Sequence, residues 1–156
     1  MKTIFVDMDG VLSNFEQKYT SVCGMTPKDG RDSKTKGIWR DNWNKFIDLH
    51  SFEELDYWPG AEELIAKLDQ LNVQKVILTS SGGMERHNDV MRQKLLWLSN
   101  RRIGWPAIVV PGRKHKARFA DVGTLMIDDT LDVIESFRLH GGSSIQHKDV
   151  NQTLLM

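Results

Sequence analysis

Two carboxylates one residue apart, Asp7 and Asp9, follow the short run Thr-Ile-Phe-Val at 3–6 near the start of the chain. A strand of this kind, without polar alternation, is typical of a parallel sheet covered on both faces, where ligands bind just beyond the carboxyl ends of the strands. Because strand side chains alternate, residues 7 and 9 would point the same way, and their charges would raise each other's pKa unless a cation neutralised them. Oxygen ligands suit a hard divalent ion, and Gly10 permits a tight turn whose N–H groups face an anion. The stretch therefore predicts a metal and a phosphate together.

A calcium-binding loop is the main alternative for this spacing of Asp and Gly. Such a loop needs further oxygen ligands and a Glu downstream. The residues after Gly10 are instead Val-Leu-Ser-Asn-Phe, which disfavours the calcium loop.

Three later apolar stretches also read as strands that end in polar residues. They run from 73–78 into Thr79 and Ser80, from 107–110 into the basic segment 113–121, and from 124–127 into Asp128 and Asp129. Amphipathic helical patterns lie between the strands, at 61–71, 84–99 and 131–139, and a weak fifth strand is predicted at 143–146. Strands that alternate with helices predict an α/β fold with a doubly wound parallel sheet. Because the carboxyl ends of parallel strands lie on one edge, all of these polar residues are expected to meet in a single crevice.

The composition places the chain among water-soluble globular proteins. At 156 residues it fits one domain with a small insertion, and it has neither a membrane-length apolar run nor a signal-peptide pattern at its start. The 21 basic and 21 acidic residues balance to a net charge of zero, which argues against a non-specific nucleic-acid binder. Cys23 is the single cysteine, so an internal disulfide is excluded and a reducing cytoplasm is the default location.

No convincing strand is found between residues 12 and 58. Helical patterns at 12–22 and 38–49 flank a polar segment at 26–37, which reads as a surface loop or a mobile flap. We interpret 15–58 as a small helical cap inserted after the first strand, and 1–14 with 59–156 as the core domain.

The sequence DMDGVLSNFE at 7–16 resembles motif I (DxDGV/T) of the haloacid dehalogenase-like phosphatase superfamily, in the form seen in 5'(3')-deoxyribonucleotidases. The four polar strand ends match, in order, the four motifs of that superfamily. Lys94 with Trp97 in the helix after the second strand, and the stretches SFEELDYWPGAEEL, LTSS and LMIDDT at 51–64, 78–81 and 125–130, also resemble deoxyribonucleotidases. The resemblance implies a Rossmann-like sheet and a Mg²⁺-dependent phosphatase.

By this resemblance Asp7 is the nucleophile that forms an aspartyl-phosphate, and Asp9 is the acid and base that serves the leaving group and the water. Mg²⁺ would be held by the Asp7 carboxylate, the main-chain carbonyl of Asp9 and Asp128. Asp129 is a second ligand, an orienting group, or simply the N-cap of the next helix.

Thr79 would donate a hydrogen bond to the phosphate, with Ser80 assisting or binding substrate. The third motif requires a lysine, for which Lys114 and Lys116 both qualify. Family members commonly have Ala four residues after this lysine, so Lys116 with Ala120 fits best and Lys114 is assigned to the substrate. The alternative is that RKHKAR is a solvated basic face or a nucleic-acid patch.

The substrate implied by the resemblance is a deoxyribonucleoside 5'-monophosphate. Phe15 and Phe52 would line a nucleobase pocket, and Trp39 or Trp43 would stack on the base. Alternatively, the stripe of Trp39, Trp43 and Phe46 packs the core of the cap. Two departures from the family bear on substrate choice: Lys114 replaces an arginine, and the cap is short and polar in its middle.

Other functions remain open at this point. The same chemistry could act on another phosphomonoester, such as a small metabolite or a nucleic-acid 3'-phosphate, and a non-catalytic interaction module would use the same fold. By analogy with related nucleotidases, a homodimer is expected.

Overall fold

Five parallel strands form one sheet in the computed structural model, which describes residues 1–155. The strands are β1 (Thr3–Val6), β2 (Gln74–Ser80), β3 (Ala107–Val110), β4 (Thr124–Asp128) and β5 (Ser143–Gln146), and their order across the sheet is β3-β2-β1-β4-β5. The predicted fold class, an α/β Rossmann-like sheet, is confirmed. Met156, the last residue of the predicted core domain, lies outside the described residues.

β1 is the central strand, and its register brings the strand ends to one level. Val6 pairs with Ile77 of β2 on one side and with Ile127 of β4 on the other. The residues of β1 alternate between two buried clusters: Ile4 and Val6 face one, and Phe5 faces the other. Both faces are covered, so the unbroken apolar pattern of a parallel sheet is explained.

Helices of the core cover the two faces of the sheet. They are α4 (Ala61–Asp69), α5 (His87–Asn100), α6 (Leu131–Leu139) and α7 (Val150–Leu155), with a 3₁₀ helix at Arg113–Phe119. α5 begins at His87 and not at residue 84 because the chain first turns through Gly82, which has a φ of +85°. α7 lies in the tail, to which the sequence assigned no structure. No helix among residues 1–155 combines the length and apolar composition that crossing a bilayer requires.

The inserted segment contains α1 (Phe15–Cys23), α2 (Pro27–Asp32), α3 (Ile38–Asp48) and a 3₁₀ helix at Ser51–Glu54. α1 begins at Phe15 because the preceding residues turn around the Met8 carbonyl and Asn14 caps the helix by accepting from the Gln17 N–H at 3.1 Å. The prediction of a loop or flap over 26–37 is wrong for 27–32: Thr26 accepts from the Asp29 N–H, and Pro27 occupies the first turn, so α2 forms.

Candidate active site

Three carboxylates meet at the carboxyl edge of the sheet. Asp7 follows β1, Asp128 ends the neighbouring β4, and Asp129 comes next along the chain. One oxygen of each lies within 4.8 Å of those of the other two. Asp7 and Asp128 are buried. Burial and the charge of Asp128 raise the pKa of Asp7 despite the opposing effect of Lys116. Asp129 is exposed to the cavity, where desolvation and the charges of Asp7 and Asp128 raise its pKa to about 8.

A buried lysine partly neutralises these carboxylates. Lys116 projects from the 3₁₀ helix after β3, and its Nζ donates to Asp7 Oδ1 at 2.9 Å and to Asp128 Oδ2 at 2.7 Å. Burial lowers the pKa of Lys116, but Asp7 and Asp128 outweigh it, so the pKa stands above the usual value for lysine. The structure therefore brings Lys116 to the carboxylates, whereas Lys114 is exposed and lies outside the cavity lining.

The carboxylate cluster fits a divalent cation. Three acidic groups face one ammonium, and desolvation together with the repulsion between the carboxylates raises the pKa of Asp7 and of Asp129. An all-oxygen donor set suits Mg²⁺. Gly10 leaves room for the Asp129 carboxylate, because a Cβ built at Gly10 would overlap Asp129 Oδ2. Since Gly10 also has a φ of +82°, it is the residue type that both the turn and the cluster require.

Asp9 lies beside this cluster and is fixed by two donors. Its Oδ1 accepts from Ser13 Oγ at 3.0 Å, and its Oδ2 accepts from Lys94 Nζ at 3.1 Å. The Lys94 ammonium also donates to Thr79 Oγ1 at 2.7 Å and to the Ser80 carbonyl at 2.8 Å. Lys94 thus joins the end of β2 to the turn after β1.

Lys94 was not predicted as a site residue. It lies in the middle of α5, where a lysine is ordinarily solvated, yet only 2% of the residue is exposed. Its position in a segment that resembles deoxyribonucleotidases was the one available signal. Its burial follows from the packing of α5 against β2 and the cap, which no local pattern encodes.

A cavity of about 1000 Å³ opens above the cluster, at the upper end of the size range for small-molecule sites. Asp7, Asp9, Thr79, Ser80 and Asp129 reach it from the sheet edge. Asp128 and Lys116 lie behind them, with Lys116 still part of the lining.

Aromatic side chains from the cap form one wall of the cavity. Phe15, Trp39 and Trp43 line it, and the two indoles stack with centroids 5.9 Å apart at an interplanar angle of 22°. The same indoles pack against a buried cluster, so they line the cavity and also contribute to the core. Phe46 is fully buried.

Phe52 does not line the cavity as predicted. It is 1% exposed and lies behind Phe15, with the rings stacked at 5.7 Å. Lys94 Nζ lies 5.2 Å from the centroid of the same ring. Phe52 therefore supports lining groups and is shielded from the cavity by them.

Polar contacts hold the cap against the loop between β2 and α5. The Arg86 guanidinium donates to Asn44 Oδ1 at 3.0 Å and to Asp48 Oδ1 at 2.9 Å, both on α3. Arg40 of α3 donates to Glu85 at 2.6 Å. These pairs hold α3 beside the cavity that Trp39, Arg40 and Trp43 line.

No family model and no curated protein sequence matches the chain. Solved structures match its fold. A hydrolase from Streptococcus pneumoniae TIGR4 has a TM-score of 0.59 over 100% of both chains, at 12% sequence identity. A D,D-heptose 1,7-bisphosphate phosphatase from Burkholderia thailandensis has a TM-score of 0.54 over 91% of this chain and 75% of its own, at 18% identity. A haloacid dehalogenase (HAD) family enzyme from Bacteroides thetaiotaomicron, in complex with magnesium and inorganic phosphate, has a TM-score of 0.52 over 100% of both chains, at 14% identity. The chain therefore has the fold of the haloacid dehalogenase-like hydrolases.

Proposed function

We propose that this protein is a Mg²⁺-dependent phosphomonoesterase that hydrolyses deoxyribonucleoside 5'-monophosphates through an aspartyl-phosphate on Asp7. The observation that carries this proposal is the cluster of Asp7, Asp128 and Asp129 against Lys116 beside a cavity of about 1000 Å³. The fold shared with haloacid dehalogenase-like hydrolases supports it, as does the presence of magnesium and phosphate in the Bacteroides enzyme.

In the first step the Asp7 carboxylate attacks phosphorus, so an oxygen–phosphorus bond forms and the ester bond to the sugar breaks. Asp9 gives its proton to the departing alkoxide. In the second step Asp9 takes a proton from water, which attacks the phosphorus, releases phosphate and restores Asp7. The contacts with Ser13 and Lys94 hold the Asp9 carboxylate in place for both proton transfers.

The remaining groups would position the phosphate and balance charge. Thr79 Oγ1 accepts from Lys94, so its own hydroxyl hydrogen is available to a phosphate oxygen. Lys116 would screen the carboxylates from the phosphate. Mg²⁺, held by the carboxylates of Asp7 and Asp128 and the Asp9 carbonyl, with Asp129 as a further ligand or orienting group, would supply the positive charge that lets two anions approach.

The aromatic wall supports a nucleotide as the substrate. Phe15 and the stacked pair of Trp39 and Trp43 offer flat surfaces of the kind that bind a nucleobase. A homodimer and a cytoplasmic location stay predictions.

The test is phosphate release from a panel of deoxyribonucleotides, ribonucleotides and sugar phosphates, with Mg²⁺ and with a chelator. We expect turnover only with Mg²⁺ and a loss of about a thousandfold or more in D7N, because the nucleophile is removed. D56N is the matched control, since Asp56 is exposed and outside the cavity lining. Activity of D7N equal to that of D56N would refute the nucleophile, and turnover of sugar phosphates alone would refute the nucleotide substrate.

A further inference from the structure

The cap side of the cavity wall is rich in positive charge, although the whole chain has a net charge of zero. Three cations and one carboxylate reach the lining from the cap: Lys28, Arg31, Arg40 and Glu16. None of these cations contacts the carboxylates at the sheet edge in the described structure. These cations lie apart from the groups that would handle the scissile phosphate.

Arg31 differs from the other arginines of the lining. The other three are all paired with carboxylates. Arg40 pairs with Glu85 at 2.6 Å, and Arg113 pairs with Asp132 at 2.8 Å. Arg86 pairs with both Asp48 and Asp89 at 2.9 Å. Over residues 1–155, Arg31 makes no ion pair within 4.0 Å. Its guanidinium carbon instead lies 4.9 Å from the centroid of the Trp39 ring. One face of the guanidinium is therefore supported by an indole while its N–H donors stay available.

Lys28 lies three residues before Arg31 on α2, so the two side chains share a face of that helix. Lys28 pairs with Asp32 at 2.8 Å, but both side chains are largely exposed, at 83% and 63%. Such a surface pair is weak and easily exchanged for another anion. The face of α2 at the cavity thus presents one free guanidinium and one loosely held ammonium.

The ligand that suits this arrangement is a phosphate. A planar guanidinium with several free donors binds phosphate oxygens in pairs, and a neighbouring ammonium adds a further charge-assisted hydrogen bond. The cavity of about 1000 Å³ leaves room for a substrate that extends from the carboxylates to the cap. We propose that the preferred substrate carries a second phosphate, remote from the scissile one, and that Arg31 binds it with help from Lys28. This inference rests on the proposed phosphatase function.

The kinetic test compares thymidine 3',5'-bisphosphate with thymidine 5'-monophosphate at constant ionic strength. In the wild-type protein we expect a KM about tenfold lower for the bisphosphate, because a charge-assisted contact is gained. R31Q should raise KM for the bisphosphate about tenfold more than KM for the monophosphate, with a smaller differential effect in K28Q. The control is K67Q, which removes an exposed lysine of α4 outside the cavity lining. Equal KM values for the two substrates in wild type, or equal effects of R31Q on both, would overturn the inference.

A binding measurement separates this inference from the proposed function. Calorimetric titration of D7N with each thymidine nucleotide needs no turnover, and D7N/R31Q reports on the same contact. Tighter binding of the bisphosphate that R31Q abolishes supports the second phosphate site even if no phosphate is ever released. Turnover of both nucleotides with equal affinity supports the phosphatase and refutes the second site. Thermal unfolding of R31Q checks that the fold is intact.

Discussion

Replacing Lys116 by Met tests whether the carboxylate cluster needs a cation to be stable. Lys116 Nζ contacts Asp7 and Asp128 at 2.9 and 2.7 Å, and all three side chains are at most 8% exposed. Methionine keeps the length of the side chain and removes its charge. Removing one partner of a buried ion pair typically costs about 3–5 kcal/mol, because the other charge is left without compensation. We expect a loss of this size in the free energy of unfolding when a chelator is present.

Magnesium should reduce the difference in unfolding free energy between K116M and wild type. The Lys116 ammonium and a divalent cation at the carboxylates repel each other, so the K116M protein should bind Mg²⁺ more tightly than wild type while losing phosphatase activity. A ligand that binds the folded state adds about 2.7 kcal/mol of stability at a hundred times its dissociation constant. Because K116M is expected to bind Mg²⁺ more tightly, its free energy of unfolding should rise more than that of wild type at any given Mg²⁺ concentration.

The assay is urea unfolding of wild type and K116M, each with chelator and with millimolar Mg²⁺. K114M is the matched control, because Lys114 is exposed and makes no ion pair in the described structure; its unfolding free energy should change by about 0.5 kcal/mol or less. Equal effects of K116M and K114M would refute the role of Lys116 in the cluster. A loss in K116M that Mg²⁺ leaves unchanged would refute a metal at these carboxylates.

Two glycines allow sharper tests, because Gly37 offers a control with the same backbone strain and open space around it, at a φ of +79°. G10A and G37A should each lose about 1–2 kcal/mol of stability. G10A should in addition lose about 10–100-fold in Mg²⁺ affinity, measured by calorimetry, because its Cβ would displace Asp129. A Mg²⁺ affinity equal to that of G37A would contradict this prediction. G82A should raise KM for the nucleotide relative to G37A, because its Cβ would come 2.8 Å from Trp43 Cζ2 and push the indole from the wall; unchanged KM would show that the position of Trp43 is immaterial.

Much of the fold could be predicted because its signals are local. The helix expected at 131–139 and the strand expected at 143–146 occur with those bounds. The second strand is predicted to end at residue 78, but β2 continues through Thr79 and Ser80. Polar residues at the edge of a sheet still form hydrogen bonds with the neighbouring strand. α2 was missed because its sequence, PKDGRD, is rich in residues that favour turns, whereas its N-cap and proline promote a helical start.

The same distinction between local signals and tertiary packing applies to the side chains of the site. Asp7, Asp9, Asp128 and Asp129 are predicted at the sheet edge because acidic residues after apolar strands stand out in a sequence. Phe52 is expected in the lining but lies behind it, whereas Lys94, which is not among the predicted site residues, lies within the lining. Burial depends on which helices pack above a residue, and residue type alone does not report it.

The sequence by itself determined a parallel α/β sheet with acidic residues at its carboxyl edge, because strand periodicity and residue chemistry are written locally. Only the tertiary structure decided which groups meet there. The order β3-β2-β1-β4-β5 sets Asp7 beside Asp128, the 3₁₀ helix after β3 brings Lys116 and not Lys114 between them, and α2 carries Arg31 to the cavity wall. The contact between Asp7 and Lys116 joins residues 109 positions apart, and such pairing depends on packing across the whole chain.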